Sequence, residues 1–282
     1  MSDRRLAQLE RELTTIGDAY SGLCTWALTE VTSGESISCR ADTIMPTASL
    51  IKVPILVALY QAAAEGKADL AARVSYGPEH RVLGSGVLSR MSPGVQMTVR
   101  DAATLMIIIS DNSATNMCID LLGIDYVNAT MRSLGLVRTT LFRRLGDPDS
   151  GRDARNMSVS TAGEMTSLLA RLARHELVNA EASEDMLRIM RRQDYRHELS
   201  AELPWNELNM LGDDPKVAWV AEKGGAFLNG VRCSGAIFKG PRGYFAMSAF
   251  CEGGTGPGTG RNAEGNITLG HLGHAAWEAL AA

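Results

Sequence analysis

The chain has no apolar stretch long enough to cross a bilayer. Its longest aliphatic run, Leu105 to Ile109, falls far short of the roughly 20 residues a spanning helix needs. An integral membrane protein is therefore not expected. It also has no excess of positive charge: 28 basic against 32 acidic side chains leave a net charge of -4, which gives no electrostatic footprint for wrapping nucleic acid. The expected partners are small molecules or other proteins. Cysteine is sparse. Cys24, Cys39, Cys118, Cys233 and Cys251 are odd in number and form no C-x-x-C pair, so reduced, mostly buried thiols are expected. The opening residues MSDRRLAQLERELTTIGDAY space Leu6, Leu9, Leu13 and Ile16 as an amphipathic helix, without the apolar core of a signal peptide. Together with the thiols this points to a cytoplasmic setting. His271 and His274 lack Cys, Asp or Glu at ligand spacing, so no metal site is expected, and no cofactor.

What is present describes a globular protein, since 45% hydrophobic and 21% charged residues in 282 can enclose a substantial core. Residues 22–40 read as a hairpin around Thr32-Ser33-Gly34-Glu35. Three more strand-like segments, 217–222, 231–238 and 243–251, lie near the other end, followed by a helix from about Ile267 to Leu280. Between them, helical patterns cover 49–65, 98–109, 113–122, 126–134, 161–174 and 182–193. Strands at both termini around a helical middle predict an α+β unit. Its antiparallel sheet of about five strands is built from both chain ends and flanked by helices. One continuous unit, 1–282, is expected, with an α/β lobe from 1–48 and 201–282 and a helical lobe from 49–200. The cleft between lobes is the natural site. The glycine-rich stretch 253–260 reads as a loop before the last helix.

Ser49-Leu50-Ile51-Lys52 opens the first strongly apolar helical pattern. A serine and a lysine three residues apart share a helical face, so the amine can take the hydroxyl proton and create a nucleophile. Apolar walls at Val53, Ile55 and Leu56 lower a lysine's pKa by desolvation, and a helix N-terminus favours negative charge on the serine oxygen. Read alone, the tetrapeptide is equally a serine helix cap followed by a solvated lysine. About sixty residues on, Ser110-Asp111-Asn112 sits at a helix junction. There a second hydroxyl can relay a proton, and the Asn112 amide can hydrogen-bond Lys52 or a substrate carbonyl. About a hundred and ten residues further, Lys223-Gly224-Gly225 ends a strand-like segment. Lys223 can hold an anionic group, and Gly225 leaves room for a substrate along the strand edge. The Ala226 backbone amide can pair with that of Ser49 as an oxyanion hole. Each of the last two elements also has a plain reading, as a helix cap and as a glycine turn.

In this order and spacing the three elements are the S-x-x-K, S-D-N and K-T-G set of serine penicillin-recognising enzymes. The sequence resembles the class A β-lactamase family over nearly its whole length, and Gly84-Ser85-Gly86-Val87-Leu88 is similar to a stretch of the lactamase-like serine hydrolases. The resemblance implies a β-lactamase-like fold and an acyl-serine hydrolase. Ser49 would be the nucleophile, Lys52 the base and Ser110 the proton shuttle, with Lys223 and Arg232 binding a carboxylate of a small amide or ester substrate.

Three features depart from the family pattern. The loop that carries a glutamate in class A enzymes reads 143-RRLGDPDSGRDARN-156, with Asp147 and Asp149 as its nearest acids. Asp147 is taken as the candidate that activates the deacylating water. Gly224 replaces the usual Thr or Ser, removing a hydrogen bond worth about 1.5–3 kcal/mol to a bound carboxylate. The third is the missing export signal. Beside hydrolysis of β-lactams or a related cyclic amide, the sequence leaves open an esterase, amidase or D-amino-acid peptidase, and a protein that is acylated without turnover.

Overall fold

The structure, a computed structural model, describes residues 3–205, 208, 217–228, 230–256 and 260–282. Met1 and Ser2 of the first helical pattern, and residues 257–259 of the glycine-rich stretch, lie outside the described residues. The first part of the chain forms α1 (Asp3–Asp18), β1 (Leu23–Glu30), β2 (Ser36–Cys39), β3 (Met45–Pro46) and α2 (Lys52–Ala64). The middle contributes β4 (Arg73–Ser75), β5 (Gln96–Thr98), α3 (Val99–Ile108), α4 (Asn112–Leu122), α5 (Ile124–Ser133), β6 (Thr140–Leu141), β7 (Ser158–Ser160), α6 (Ala162–Ala173) and α7 (Ala180–Arg191). The chain closes with β8 (Trp219–Ala226), β9 (Arg232–Lys239), β10 (Tyr244–Glu252) and α8 (Glu264–Leu280).

The expected antiparallel sheet has five strands in the order β2-β1-β10-β9-β8. The two chain ends meet at its centre, where Cys24 pairs with Cys251 and Leu28 with Met247. Alternation along the strands divides the core in two. Ala27, Ala221, Cys233, Ile237, Ala246 and Phe250 face α2 and the helices around it. Trp26, Leu28, Val220, Phe238, Phe245 and Met247 face the opposite layer, where Leu6, Leu9 and Leu13 of α1 pack with Leu269, Leu272 and Trp277 of α8. The leucine spacing in the first twenty residues thus covers one face of the sheet.

Helix α2 is buried almost all round, from Lys52 to Tyr60, as a helix through the middle of a core must be. The helix expected from Ser49 starts differently: Ala48–Ile51 is a 3-10 turn, and the α-helix begins at Lys52. Pro54 has no N–H for the Leu50 carbonyl, so the first turn tightens instead. Strand β8 runs past the expected end at 222 and takes in Lys223, Gly224 and Gly225. The short strands β3 to β7 are too brief to leave a periodic pattern. One of them matters for the site: β3, just before Ser49, pairs with β7, Met45 opposite Ser160 and Pro46 opposite Val159.

Candidate active site

Ser49 is held up by a strained turn. Ala48, immediately before it, has φ 42°, a left-handed conformation that costs an L-residue about 1–2 kcal/mol. The turn is pinned from two sides. The Thr47 hydroxyl lies 2.6 Å from that of Ser158 on β7, while the Thr47 carbonyl accepts from Leu50 N (2.9 Å) and Cys233 Sγ (2.9 Å). Strand β8 lies against the same turn, and only glycine permits it. A Cβ on Gly225 would meet Thr47 O at 2.7 Å, Cys233 Sγ at 2.8 Å and Leu50 N at 2.9 Å. Gly225 therefore docks the strand on the serine turn, a packing role beside the room for substrate expected from sequence. Ala226, exposed at the end of β8, follows directly.

Lys52 is 0% exposed. Its Nζ reaches Ser110 O at 2.7 Å, Ser110 Oγ at 3.0 Å and Asn112 Oδ1 at 2.9 Å. Desolvation first, then the charge of Lys223, push its pKa well below the ordinary lysine value, against an opposing pull from Asp111. Nζ donates to all three oxygens, so one hydrogen bond joins the amine to the Ser110 hydroxyl, a path along which a proton can pass. Ser110 is itself in a left-handed conformation, φ 53°.

The second residue of S-D-N holds this junction together. The buried Asp111 caps α4 by accepting from Ala114 N (3.0 Å), and its other oxygen accepts from Val87 N (2.6 Å) and Leu88 N (2.9 Å). This binds the Gly84–Leu88 segment to the start of α4. At Gly86, φ 96°, a Cβ would collide with the Asp111 carboxylate. The Asn112 amide braces the same segment by donating to Leu83 O at 3.1 Å. Of the site residues read from sequence, the structure brings Ser110 and Asn112 onto Lys52.

Lys223 is 1% exposed and donates to Gly224 O at 2.6 Å. Desolvation lowers its pKa to about 8, with Glu198, Cys233 and Glu222 pulling it back up. Arg232 is 1% exposed, and its Nη1 donates to Phe227 O (3.1 Å) and Val231 O (2.6 Å). It fastens the β8–β9 connection on the sheet face that also carries Gly224, where its charge acts on Glu198.

The loop acids are also committed elsewhere. The Asp147 carboxylate accepts from Asp149 N at 2.9 Å, closing its own turn, and Asp149, 79% exposed, pairs with Arg143 at 3.4 Å. Among the described residues no hydrogen bond or ion pair joins either to Ser49, Lys52 or Ser110. The loop is fixed to the site through Leu145, whose N–H and carbonyl both bond the Asn116 side chain of α4, each at 3.0 Å.

Sequence reading missed two buried glutamates beside Lys223. Glu222 accepts from the hydroxyls of Ser200 and Ser234 (2.6 Å to the latter), and burial raises its pKa. Glu198 stands against Gly224, and burial, then the charge of Glu222, raise its pKa to about 7. An acid ending the apolar run of β8 was a signal for Glu222. Nothing around Glu198 in sequence marks it.

A buried amine joined to a second hydroxyl, next to a serine on a strained turn and a lysine-bearing strand, defines an acyl-transferring serine hydrolase. The family model described as Beta-lactamase enzyme family matches residues 8–280, and the chain belongs to that family. It is a serine hydrolase of the β-lactamase type, acting on β-lactam amides. The chain is similar to a β-lactamase from Sphaerobacter thermophilus DSM 20745, at 24% identity over 96% of each chain and a TM-score of 0.83. It is similar to PBP-A at 25% identity, over 97% of this chain and 96% of that one, with a TM-score of 0.81. A mutant of PBP-A is known as an acyl-enzyme complex with penicillin G. An ancestral class A β-lactamase matches with a TM-score of 0.82 at 22% identity, over 97% of this chain and 100% of that one. No curated protein matches the chain in sequence.

Proposed function

We propose that Ser49 forms the acyl-enzyme and that Lys52 is its base. The observation that carries this is the buried Lys52 amine, depressed in pKa and bonded to Ser110. Ser49 Oγ attacks the lactam carbonyl and its proton passes to Lys52 Nζ, while the carbonyl oxygen takes negative charge facing the backbone amides of Ser49 and Ala226. The C–N bond then breaks. Its nitrogen takes the Ser110 proton, and Ser110 recovers one from Lys52, so the amine ends neutral. Asn112 keeps Lys52 in register. Water hydrolyses the ester in a second step.

The loop acids lend little support to that second step, because Asp147 is engaged in its own turn and Asp149 is exposed. Acylation should accordingly outpace deacylation. For the carboxylate expected on the substrate, Lys223 is the cation beside Lys52, with Arg232 on the neighbouring strand. Intact-mass measurement after mixing with penicillin G or nitrocefin tests this reading. A persistent adduct on Ser49, absent in Ser49→Ala, is expected; no adduct on the wild-type chain would sink it.

A further inference from the structure

Strand β8 is the outer strand of its sheet and offers a different chemistry on each face. Lys223 and Gly225 alternate onto the α2 face, where Lys223 adds positive charge beside Lys52. Glu222 and Gly224 alternate onto the other face, and there Glu198 fills the space a residue-224 side chain would need. A Cβ on Gly224 would lie 2.5 Å from the carboxyl carbon of Glu198 and 2.6 Å from each of its oxygens. In the K-T-G pattern this position carries a hydroxyl, a hydrogen-bond donor to an anionic substrate group. Here a carboxyl stands in its place. The exchange replaces attraction for an anion by repulsion whenever Glu198 is ionised.

Two cations, Lys223 and Arg232, act on the ionised Glu198, so in that form it offsets positive charge that would otherwise attract a substrate carboxylate. Glu222 on β8 is a second buried carboxyl, bonded to Ser200 and Ser234. Lys223 donates to Gly224 O, Arg232 on β9 donates to Phe227 O and Val231 O, and His197 N approaches Glu198 Oε2 at 3.3 Å. Glu198 is 8% exposed.

Building on the acyl-Ser49 reading, we propose that Glu198 is a specificity-determining residue. It turns the site toward acyl substrates that present a neutral or cationic group at the Gly224 end of β8 and against those that present a carboxylate there. The discrimination is pH-dependent. With its pKa near 7, Glu198 is a neutral donor in mild acid and an anion in mild base, so a carboxylate-bearing substrate is tolerated at low pH and disfavoured as pH rises.

The test compares penicillin G with its methyl ester, reading the second-order rate of adduct formation on Ser49 by intact mass between pH 5.5 and 8.5. Taking the ratio of the two rates removes the shared titration of Lys52. In the wild-type chain the acid-to-ester ratio should fall by about tenfold from the acidic to the basic end. In Glu198→Gln the ratio should keep only the shallower decline set by Lys223, whose pKa is about 8, and stand about tenfold above the wild-type ratio near pH 7.5. A wild-type ratio independent of pH overturns the proposal, and this holds even if Glu198→Gln does not fold. A folded Glu198→Gln that keeps the wild-type ratio and its slope overturns it as well. Failure of both probes to label wild-type Ser49 at any pH overturns the acyl-serine reading and the proposal with it.

Discussion

The two walls of the cleft are built in different ways. The wall that makes and breaks bonds, from Ser49 to Lys52 and from Ser110 to Asn112, is a compact knot of short-range geometry. Its lysine makes three hydrogen bonds into one junction, and Asp111 ties that junction to the Gly84–Leu88 segment. The wall along β8 is assembled from separate segments, with Glu198 arriving from before the strand and Arg232 from the next strand. The first wall keeps the family's S-x-x-K and S-D-N residues, with Lys52 bonded to Ser110 and Asn112. The second keeps the lysine and the arginine but has a carboxyl where a hydroxyl donor is the rule. Acyl transfer demands fixed atoms at fixed distances, whereas recognition of the rest of a substrate tolerates substitution.

The sharpest way to break this comparison is to disable the first wall. Ser49→Ala and Lys52→Ala should each lower the acylation rate by on the order of 10³-fold or more, read by adduct formation, because one removes the proposed nucleophile and the other its base. Ser110→Ala should lower it by about 10²-fold, the usual worth of a positioned proton relay. A smaller loss would mean that water performs the transfer. The junction between the walls is tested by Gly225→Ala. Its added methyl has no space against Thr47 O, Cys233 Sγ and Leu50 N, so unfolding in urea should show a loss of about 1–3 kcal/mol together with slower acylation.

The second wall has a signature in stability. The folded-state pKa of Glu198 is raised from 4.5 to about 7, so the folded protein holds a proton that the unfolded chain releases. The stability this gives is fully present below pH 4.5 and declines as pH rises to about 7, by up to about 3 kcal/mol. Glu198→Gln should lack this component and gain relative to wild type between pH 5 and 8 in urea titrations. The smallest effects are expected in the loop: Asp147→Asn and Asp149→Asn should change the deacylation rate by less than about threefold. A large accumulation of acyl-enzyme in either would return the loop to the catalytic wall.

Much of the first wall was legible because its parts are local. A serine and a lysine one helical turn apart declare their shared face, and Ser-Asp-Asn before a helix declares a cap. The five-stranded sheet was legible for a similar reason, since alternating strand formers at both termini leave few other arrangements. The second wall was not. Arg232 sits at a spacing that suggests a substrate ligand, but the spacing does not show that strand alternation and packing against α8, where its side chain lies within 3.0 Å of the position of a Gly265 Cβ, bury it on the face shared with Gly224. Asp147 looked available as a lone acid in a polar loop, but its carboxylate was needed by the turn around it.

The sequence by itself determined the candidates for the chemistry, a serine, a lysine and a second hydroxyl, and a fold that joins the lysine to that hydroxyl. Spacing along a helix and order along the chain encode those features directly. Only the tertiary structure decided the electrostatics of recognition. That Glu198 and Arg232 meet at the Gly224 end of β8 depends on contacts between segments far apart in the chain, and burial then shifts their pKa values.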